Sequence, residues 1–535
     1  MKIRRREFIL GSSAAVLSLG TSVGFGADRR IVEIETGKLR GADLGGVLAF
    51  KGIPYGAPPQ GARRFIPCAK PIHWTGVRDV VQVGASAPQL LIPGQPTPPW
   101  HVFLADTPGT VHSEDCLVVN VWTPVPDAAK RPVMFWIHGG GYTVGSSSTP
   151  VSEGAHLARS QNVVVVSLNH RLNVLGFLDL SAVPDARFAD AGNVGLLDII
   201  TALEWVKTNI HVFGGDPGCV TIFGHSGGGG KVGNLLTMPA AKGLFHRAII
   251  ESGPHPRSGT HEVNTKSTDL LLAELGLTLS SAQKLQEVPL AQLMAAATRV
   301  GAQGAGVGFG PVVDGRNVPH HPFDPTAPSE SAGVPLIIGY AHTETTFLHF
   351  DDAEGFTLDE ARLKERLQQV AGDRAESILA AYKAAYPTAS APDLNFYITT
   401  DATLGKRAHI LADRKAAQGQ APVYLYRFDW KIPVEIEGGR MRSPHGVDLA
   451  FEFNNVDLPI VQKSLGSDAR NADFAERISG IWAAFARTGI PQFAGLPIWR
   501  PYNATTCPTM LFDDTTQCLD DPQGDARRTV MSLPG

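Results

Sequence analysis

Apolar positions along the chain fall into two kinds of run. Pro132-Val133-Met134-Phe135-Trp136-Ile137 and Asn162-Val163-Val164-Val165-Val166-Ser167 are almost continuously apolar, the pattern of strands buried on both faces. Val220-Thr221-Ile222-Phe223, Arg247-Ala248-Ile249-Ile250 and Pro335-Leu336-Ile337-Ile338-Gly339 extend the series, and Tyr424-Leu425-Tyr426-Arg427-Phe428 alternates as a late strand. The second kind repeats every three or four residues. Between Gly195 and Asn209 it places Leu196, Ile199, Ile200, Leu203 and Val206 on one helical face. Near the C-terminus it aligns Phe474, Ile478, Ile481, Trp482 and Phe485, with Gly489 and Pro491 to close the helix. Strands alternating with helices predict an α/β fold built on a doubly wound, mostly parallel central sheet. Ahead of it, Val32 to Phe50 reads as short strands broken by glycine, a small antiparallel edge. Lys51 to Phe65 is a proline-rich loop that excludes helix. Leu90 to His112 is a long Pro/Gly loop holding Trp100, His101 and Phe103, of the length of a lid or binding loop. Residues 255–310 and 355–420 read as helical or loop insertions without a sheet of their own.

Composition narrows the class. The 535 residues are 43% hydrophobic and 18% charged, enough for a large globular core. No linker, charge block or internal repeat divides residues 27–535, which are expected to form one domain. The first 26 residues differ. Arg5-Arg6-Glu7-Phe8-Ile9-Leu10 resembles a twin-arginine export signal, a weakly apolar stretch follows to Val23, and Gly24-Phe25-Gly26-Ala27 offers small residues for cleavage. The run is short and rich in Gly and Ser for a membrane anchor. The expectation is export to the periplasm or medium, with cleavage near Gly26 or Ala27 and no stable membrane insertion. The leader carries +3 of a net charge of −4, leaving the remainder at −7. A mildly acidic chain without a basic stripe is a poor partner for nucleic acid. Five cysteines is an odd count for an exported protein. Cys507 with Cys518, flanking an expected hairpin, and Cys68 with Cys116 are candidate pairs, and Cys219 is expected as a buried thiol.

The chemistry centres on Gly224-His225-Ser226-Gly227-Gly228, a G-x-S-x-G directly after an apolar strand and ahead of a helix-compatible stretch. In that setting the motif is a nucleophile elbow, with the serine held above the sheet edge. Gly20-Thr21-Ser22-Val23-Gly24 matches the same pattern but has no strand before it. A serine hydroxyl needs a base, and the base an acid to orient it, in chain order Ser, Asp/Glu, His. Glu344 is the first carboxylate after the Pro335–Gly339 strand. Its rival Asp314 precedes Gly315 after an apolar run, an ordinary turn signature. Among 17 histidines, His445 sits in a loop ahead of an apolar segment, where a base can reach the sheet edge. His409 reads as part of a solvated helix face, and His342 and His349 as neighbours of the acid. His138-Gly139-Gly140-Gly141 after a core strand leaves backbone N–H groups free for an oxyanion, and Gly227 adds another.

Other motifs fall short. Gly230-Lys231 lacks a phosphate loop's first glycine, where His225 stands, and its Ser/Thr, where Val232 stands. The glycines of Gly304–Gly310 have the wrong spacing for a dinucleotide. No C-x-x-C or H-E-x-x-H occurs, and His320-His321 reads as a loop pair, so no cofactor or metal is expected.

Taken in order, further blocks resemble the type-B carboxylesterases, the α/β-hydrolase family that includes the cholinesterases. They are Phe50-Lys51-Gly52-Ile53-Pro54-Tyr55, Arg64-Phe65, Ser113-Glu114-Asp115-Cys116-Leu117, Asn120-Val121-Trp122-Thr123-Pro124, Trp136 to Gly141, Gly192 to Asp198 and Phe213-Gly214-Gly215-Asp216-Pro217. The resemblance implies Ser226 as nucleophile, Glu344 as acid, His445 as base, and Gly140, Gly141 and Gly227 as oxyanion donors. It implies Arg64 and Glu114 as a structural ion pair. The chain departs from the family at three points. The usual elbow is G-E-S-A-G, so His225 replaces a carboxylate that lines the pocket beside the serine. Gly227 replaces alanine, keeping the donor while leaving the peptide freer to move. The usual partner of Cys116 would stand about where Ala87 is. Trp100 lies in the right loop for the pocket, but its surroundings do not match an aromatic choline site.

The sequence thus predicts a serine carboxylic-ester hydrolase acting on small-molecule esters through an acyl-enzyme. An amide- or carbamate-hydrolysing enzyme on the same site is the near alternative. A non-catalytic cholinesterase-like binding module is the remote one, since no triad member is missing.

Overall fold

The computed structural model describes residues 28–89, 109–304 and 307–533; the leader, Trp100 and most of the Leu90–His112 loop lie outside them. An eleven-stranded sheet runs, edge to edge, through Gln517–Asp520, Pro508–Phe512, Val423–Phe428, Leu336–Ala341, Arg247–Glu251, Gly215–His225, Arg131–Ile137, Val164–Leu168, Val118–Thr123, Leu48–Pro54 and Ala42–Asp43. From Pro508–Phe512 to Val164–Leu168 every neighbouring pair is parallel. Both flanks are antiparallel. The apolar runs read from the sequence all fall in this sheet. Val32–Phe50 divides instead. Its first strands, Ile31–Ile34 and Gly37–Arg40, join Val77–Asp79 in a separate three-stranded sheet, and the rest enters the main one.

Alternation within each strand splits the core between the two faces. Val133, Phe135 and Ile137 point to one layer, with Leu196, Ile199, Ile200, Leu203 and Val206 of the Val194–Asn209 helix. Met134 and Trp136 point to the other, with Phe474, Ile478, Ile481, Trp482 and Phe485 of the Arg470–Thr488 helix, which ends at a left-handed Gly489. Residues 355–420 form helices whose Leu363, Leu367, Ile378 and Tyr382 pack with Val530 in a third cluster. Among the described residues no helix is long and apolar enough to cross a membrane.

Three expectations are corrected here. Gly259–Thr260, inside the first insertion, pairs with Val312–Val313 as a small parallel ribbon, too short to leave a sequence signature. His409 is 3% exposed, with its ring between Tyr340 and Tyr502, because it lies beside Ala408, Leu411 and Ala412 on the core side of its helix. All five cysteines are free thiols. In the C-terminal hairpin the register places Cys518 opposite Met510, while Cys507 falls beyond the strand. Cys219 is half-buried and donates to the Ala486 carbonyl.

Candidate active site

The Gly215–His225 strand ends at Ser226, whose φ of 57° and ψ of −123° lie outside the regions a serine favours, before the Gly227–Leu235 helix begins. Hydrogen bonds hold the turn: Ser226 N–H donates to the Glu251 carbonyl at 2.8 Å, and Gly230 N–H to the Ser226 carbonyl at 3.0 Å. A Cβ on Gly228 would stand 2.0 Å from the Ile137 carbonyl oxygen, and one on Gly224 2.7 Å from it. Only glycine permits so close an approach of helix to strand.

Glu344 opens a short helix just past the Leu336–Ala341 strand and is fully buried. Its Oε2 lies 2.5 Å from His445 Nδ1. Its Oε1 accepts from the Ser252 hydroxyl at 2.6 Å and the Ala341 N–H at 2.7 Å. With the carboxylate accepting, the His445 proton sits on Nδ1 and Nε2 is left to accept. The two loops are stitched together one residue before the acid and two before the histidine. Thr343 N–H donates to the Ser443 carbonyl, Ser443 N–H to the Thr343 hydroxyl, and the Ser443 hydroxyl to the Phe428 carbonyl. Ser252, Thr343 and Ser443 escape sequence reading, since nothing local distinguishes them from other hydroxyls.

The glycine loop lies against the elbow. A Cβ on Gly139 would stand 3.4 Å from that of Ser226, and Gly140 and Gly141 take positive φ of 85° and 63°. Gly227 is pressed onto this loop, so that a Cβ on it would meet the Gly141 carbonyl oxygen at 2.2 Å. Gly141 backbone fills the space an alanine side chain at this position would use.

Behind the histidine lies a second layer of ionisable groups. The His225 ring is buried 4.4 Å from that of His445, and its Nε2 is 3.9 Å from Asp448 Oδ1. Burial drives His225 well below its ordinary pKa. Burial and the neighbouring Glu344 raise Asp448 to about 7, and burial beside Asp448 raises Glu251 to about 8. Glu452 is raised as well, by burial and by Glu251. The Trp482 indole donates to Glu251 at 2.8 Å and the Tyr426 hydroxyl to Asp448 at 3.0 Å.

The remaining candidates separate from this site. Asp314 Oδ1 accepts from the backbone of Arg316 and Val318, as a turn residue does. His342 stacks on Tyr397, and His349 is exposed. His320 meets Thr237 and Glu330, and among the described residues no cluster has the donors for a metal ion. Arg64 and Glu114 form the bidentate pair, at 2.6 and 2.7 Å, and Arg64 also donates to the Val288 carbonyl. A second pair, unforeseen, joins Arg171 to Asp198 at 2.6 and 2.8 Å in full burial.

A parallel-centred sheet with a serine elbow at a strand's C-terminal end and an acid–histidine pair on later loops defines an α/β-hydrolase. A sequence model described as the carboxylesterase family matches residues 28–528, and the chain belongs to that family. It is similar to the para-nitrobenzyl esterase of Bacillus subtilis (strain 168), 34% identical over 95% of this chain and 99% of the relative. It is 33% identical to the phenmedipham hydrolase of Pseudarthrobacter oxydans, over 89% of this chain and 93% of the relative. The crystal structure of a Geobacillus stearothermophilus carboxylesterase superposes with a TM-score of 0.80 at 36% identity, covering 94% of this chain and all of that one. The activity class is therefore carboxylic-ester hydrolysis.

Proposed function

We propose that the chain hydrolyses small-molecule carboxylic esters through an acyl-enzyme on Ser226. His445 Nε2 takes the Ser226 proton as Oγ bonds to the ester carbonyl carbon, and the new oxyanion meets the N–H groups of Gly140, Gly141 and Gly227. Collapse breaks the C–O bond, the alcohol leaves with the proton from His445, and water repeats the sequence to release the acid. Glu344 stabilises the imidazolium and fixes its tautomer. The observation that carries the reading is the 2.5 Å contact of His445 Nδ1 with Glu344 Oε2, beside an elbow held against the glycine loop. No cofactor enters this scheme. Trp100 is proposed as a pocket residue from its place in the sequence of the Leu90–His112 loop, whereas His225, expected beside it, lies buried behind His445 and toward Asp448.

Ser226→Ala is expected to abolish hydrolysis of nitrophenyl esters with the fold intact; full activity in that variant would overturn the reading. The same panel, with amide and carbamate analogues of equal chain length, separates an esterase from an amidase or carbamate hydrolase. Export rests on Arg5-Arg6: replacing both with Lys should leave the protein in the cytoplasmic fraction, and an unchanged periplasmic pool would refute it.

A further inference from the structure

The elbow helix reads Gly-Gly-Gly-Gly-Lys from its first residue, so Lys231 is the first side chain on it. Four successive glycines are the weakest helix formers short of proline, leaving a first turn with little order of its own. Yet this turn carries the Gly227 N–H that the proposed reaction uses. Lys231 is fully buried and leans back toward that turn, as helical side chains do. Its Nζ donates to the His138 carbonyl at 3.1 Å and lies 5.7 Å from the centre of the Tyr142 ring. His138 and Tyr142 bracket the glycine loop on either side. Among the described residues no carboxylate lies within 4 Å of the ammonium. The ionisable groups facing it are His138 and His170, stacked at 5.0 Å and held neutral by burial, and the buried Tyr142 phenol.

An enclosed lysine without a counter-ion is costly, and burial lowers its pKa to about 7. Packing alone is better served by a methionine. What lysine adds is a donor on the carbonyl where the core strand turns into the glycine loop.

We propose that Lys231 is a positioning residue for ester hydrolysis, tying the elbow helix to the His138 carbonyl so that the N–H groups of Gly140, Gly141 and Gly227 stay aimed at one point. The inference rests on the assignment of Ser226 and the glycine loop.

The test compares Lys231→Met, Lys231→Gln and Ser226→Ala with the wild type, using a nitrophenyl ester, with kcat counted per serine titrated by an organophosphate. Lys231→Met is expected to lose about ten- to a hundredfold in kcat. Its KM should stay within threefold, and its affinity for a trifluoromethyl ketone, whose carbonyl oxygen becomes an oxyanion when the serine adds to it, should fall by the same factor as kcat. Its melting temperature should hold or rise, since a buried charge is gone. Lys231→Gln, which keeps a donor, should recover part of the loss, and it replaces the Met variant if that fails to fold. A kcat per titrated site within twofold of wild type, or a loss of rate that only follows a lower melting temperature, would overturn the proposal. Full activity in Ser226→Ala would instead remove the reading beneath it.

Discussion

Gly227 and Gly141 are in backbone contact: a Cβ on Gly227 would stand 2.2 Å from the Gly141 carbonyl oxygen and 2.4 Å from its Cα. Restoring the alanine usual in the family must therefore push the glycine loop away from Ser226. Gly227→Ala is expected to lower kcat at least tenfold with a modest change in KM, the pattern of a displaced oxyanion donor. Steady-state kinetics on a nitrophenyl ester checks it, and a rate within twofold of wild type would show that the loop yields without cost.

Ser252 and Glu344 act at different distances from the chemistry. Glu344→Gln removes the acceptor that fixes the His445 tautomer and is expected to lower kcat by about 10³ or more. Ser252→Ala leaves the Ala341 N–H on the same carboxylate oxygen and should cost about tenfold. Equal losses in the two variants would place Ser252 in the reaction rather than behind the acid.

Buried Arg171 and Asp198 hydrogen-bond each other, and Arg171 also donates to the Ile66 carbonyl. Arg171→Met strands the carboxylate and is expected to cost about 3–5 kcal/mol of stability. The double variant Arg171→Met with Asp198→Leu should recover most of it, read by denaturant unfolding. A double variant as unstable as the single would mean that the pair's packing, and not its charge, is what the core needs.

Burial and neighbouring carboxylates raise Glu251, Asp448 and Glu452, so the folded chain holds their protons to higher pH than the unfolded chain does. A carboxyl whose folded pKa is raised contributes stability present below its unfolded pKa of about 4.3 and lost as pH rises through the folded value. Glu452→Gln cannot ionise. Its stability relative to wild type is therefore expected to grow by up to about 1.4 kcal/mol per pH unit as the pH rises above about 5. Thermal melts at each pH check this, and a constant difference would show that Glu452 is ionised in the fold.

The parallel strands were legible because both their faces are buried, which leaves unbroken apolar runs such as Met134-Phe135-Trp136-Ile137. The two long helices were legible because one stripe of each faces a sheet layer. Around the site, the motif and the chain order brought forward Ser226, Glu344 and His445, and the structure seats the last two in contact. What escaped was three-dimensional. Ser252 meets Glu344 across 92 residues and Ser443 meets Thr343 across 100, separations at which a lone hydroxyl carries no local pattern. His409 misled because charge spacing on its helix resembles a solvated face, while a further tyrosine from beyond residue 500 covers it. In the sequence Lys231 reads only as part of a broken phosphate loop, and its contact with the start of the glycine loop exists because the fold brings residues 138 and 231 together.

The central claim is that Ser226 becomes acylated during turnover. Treating the protein with a fluorophosphonate and mapping the adduct by peptide mass spectrometry tests it most directly. One equivalent on the peptide containing Ser226, formed in step with the loss of esterase activity and absent from His445→Ala on the same timescale, is the result expected. Complete inactivation with the label on another residue, or full labelling of Ser226 with activity retained, would contradict it.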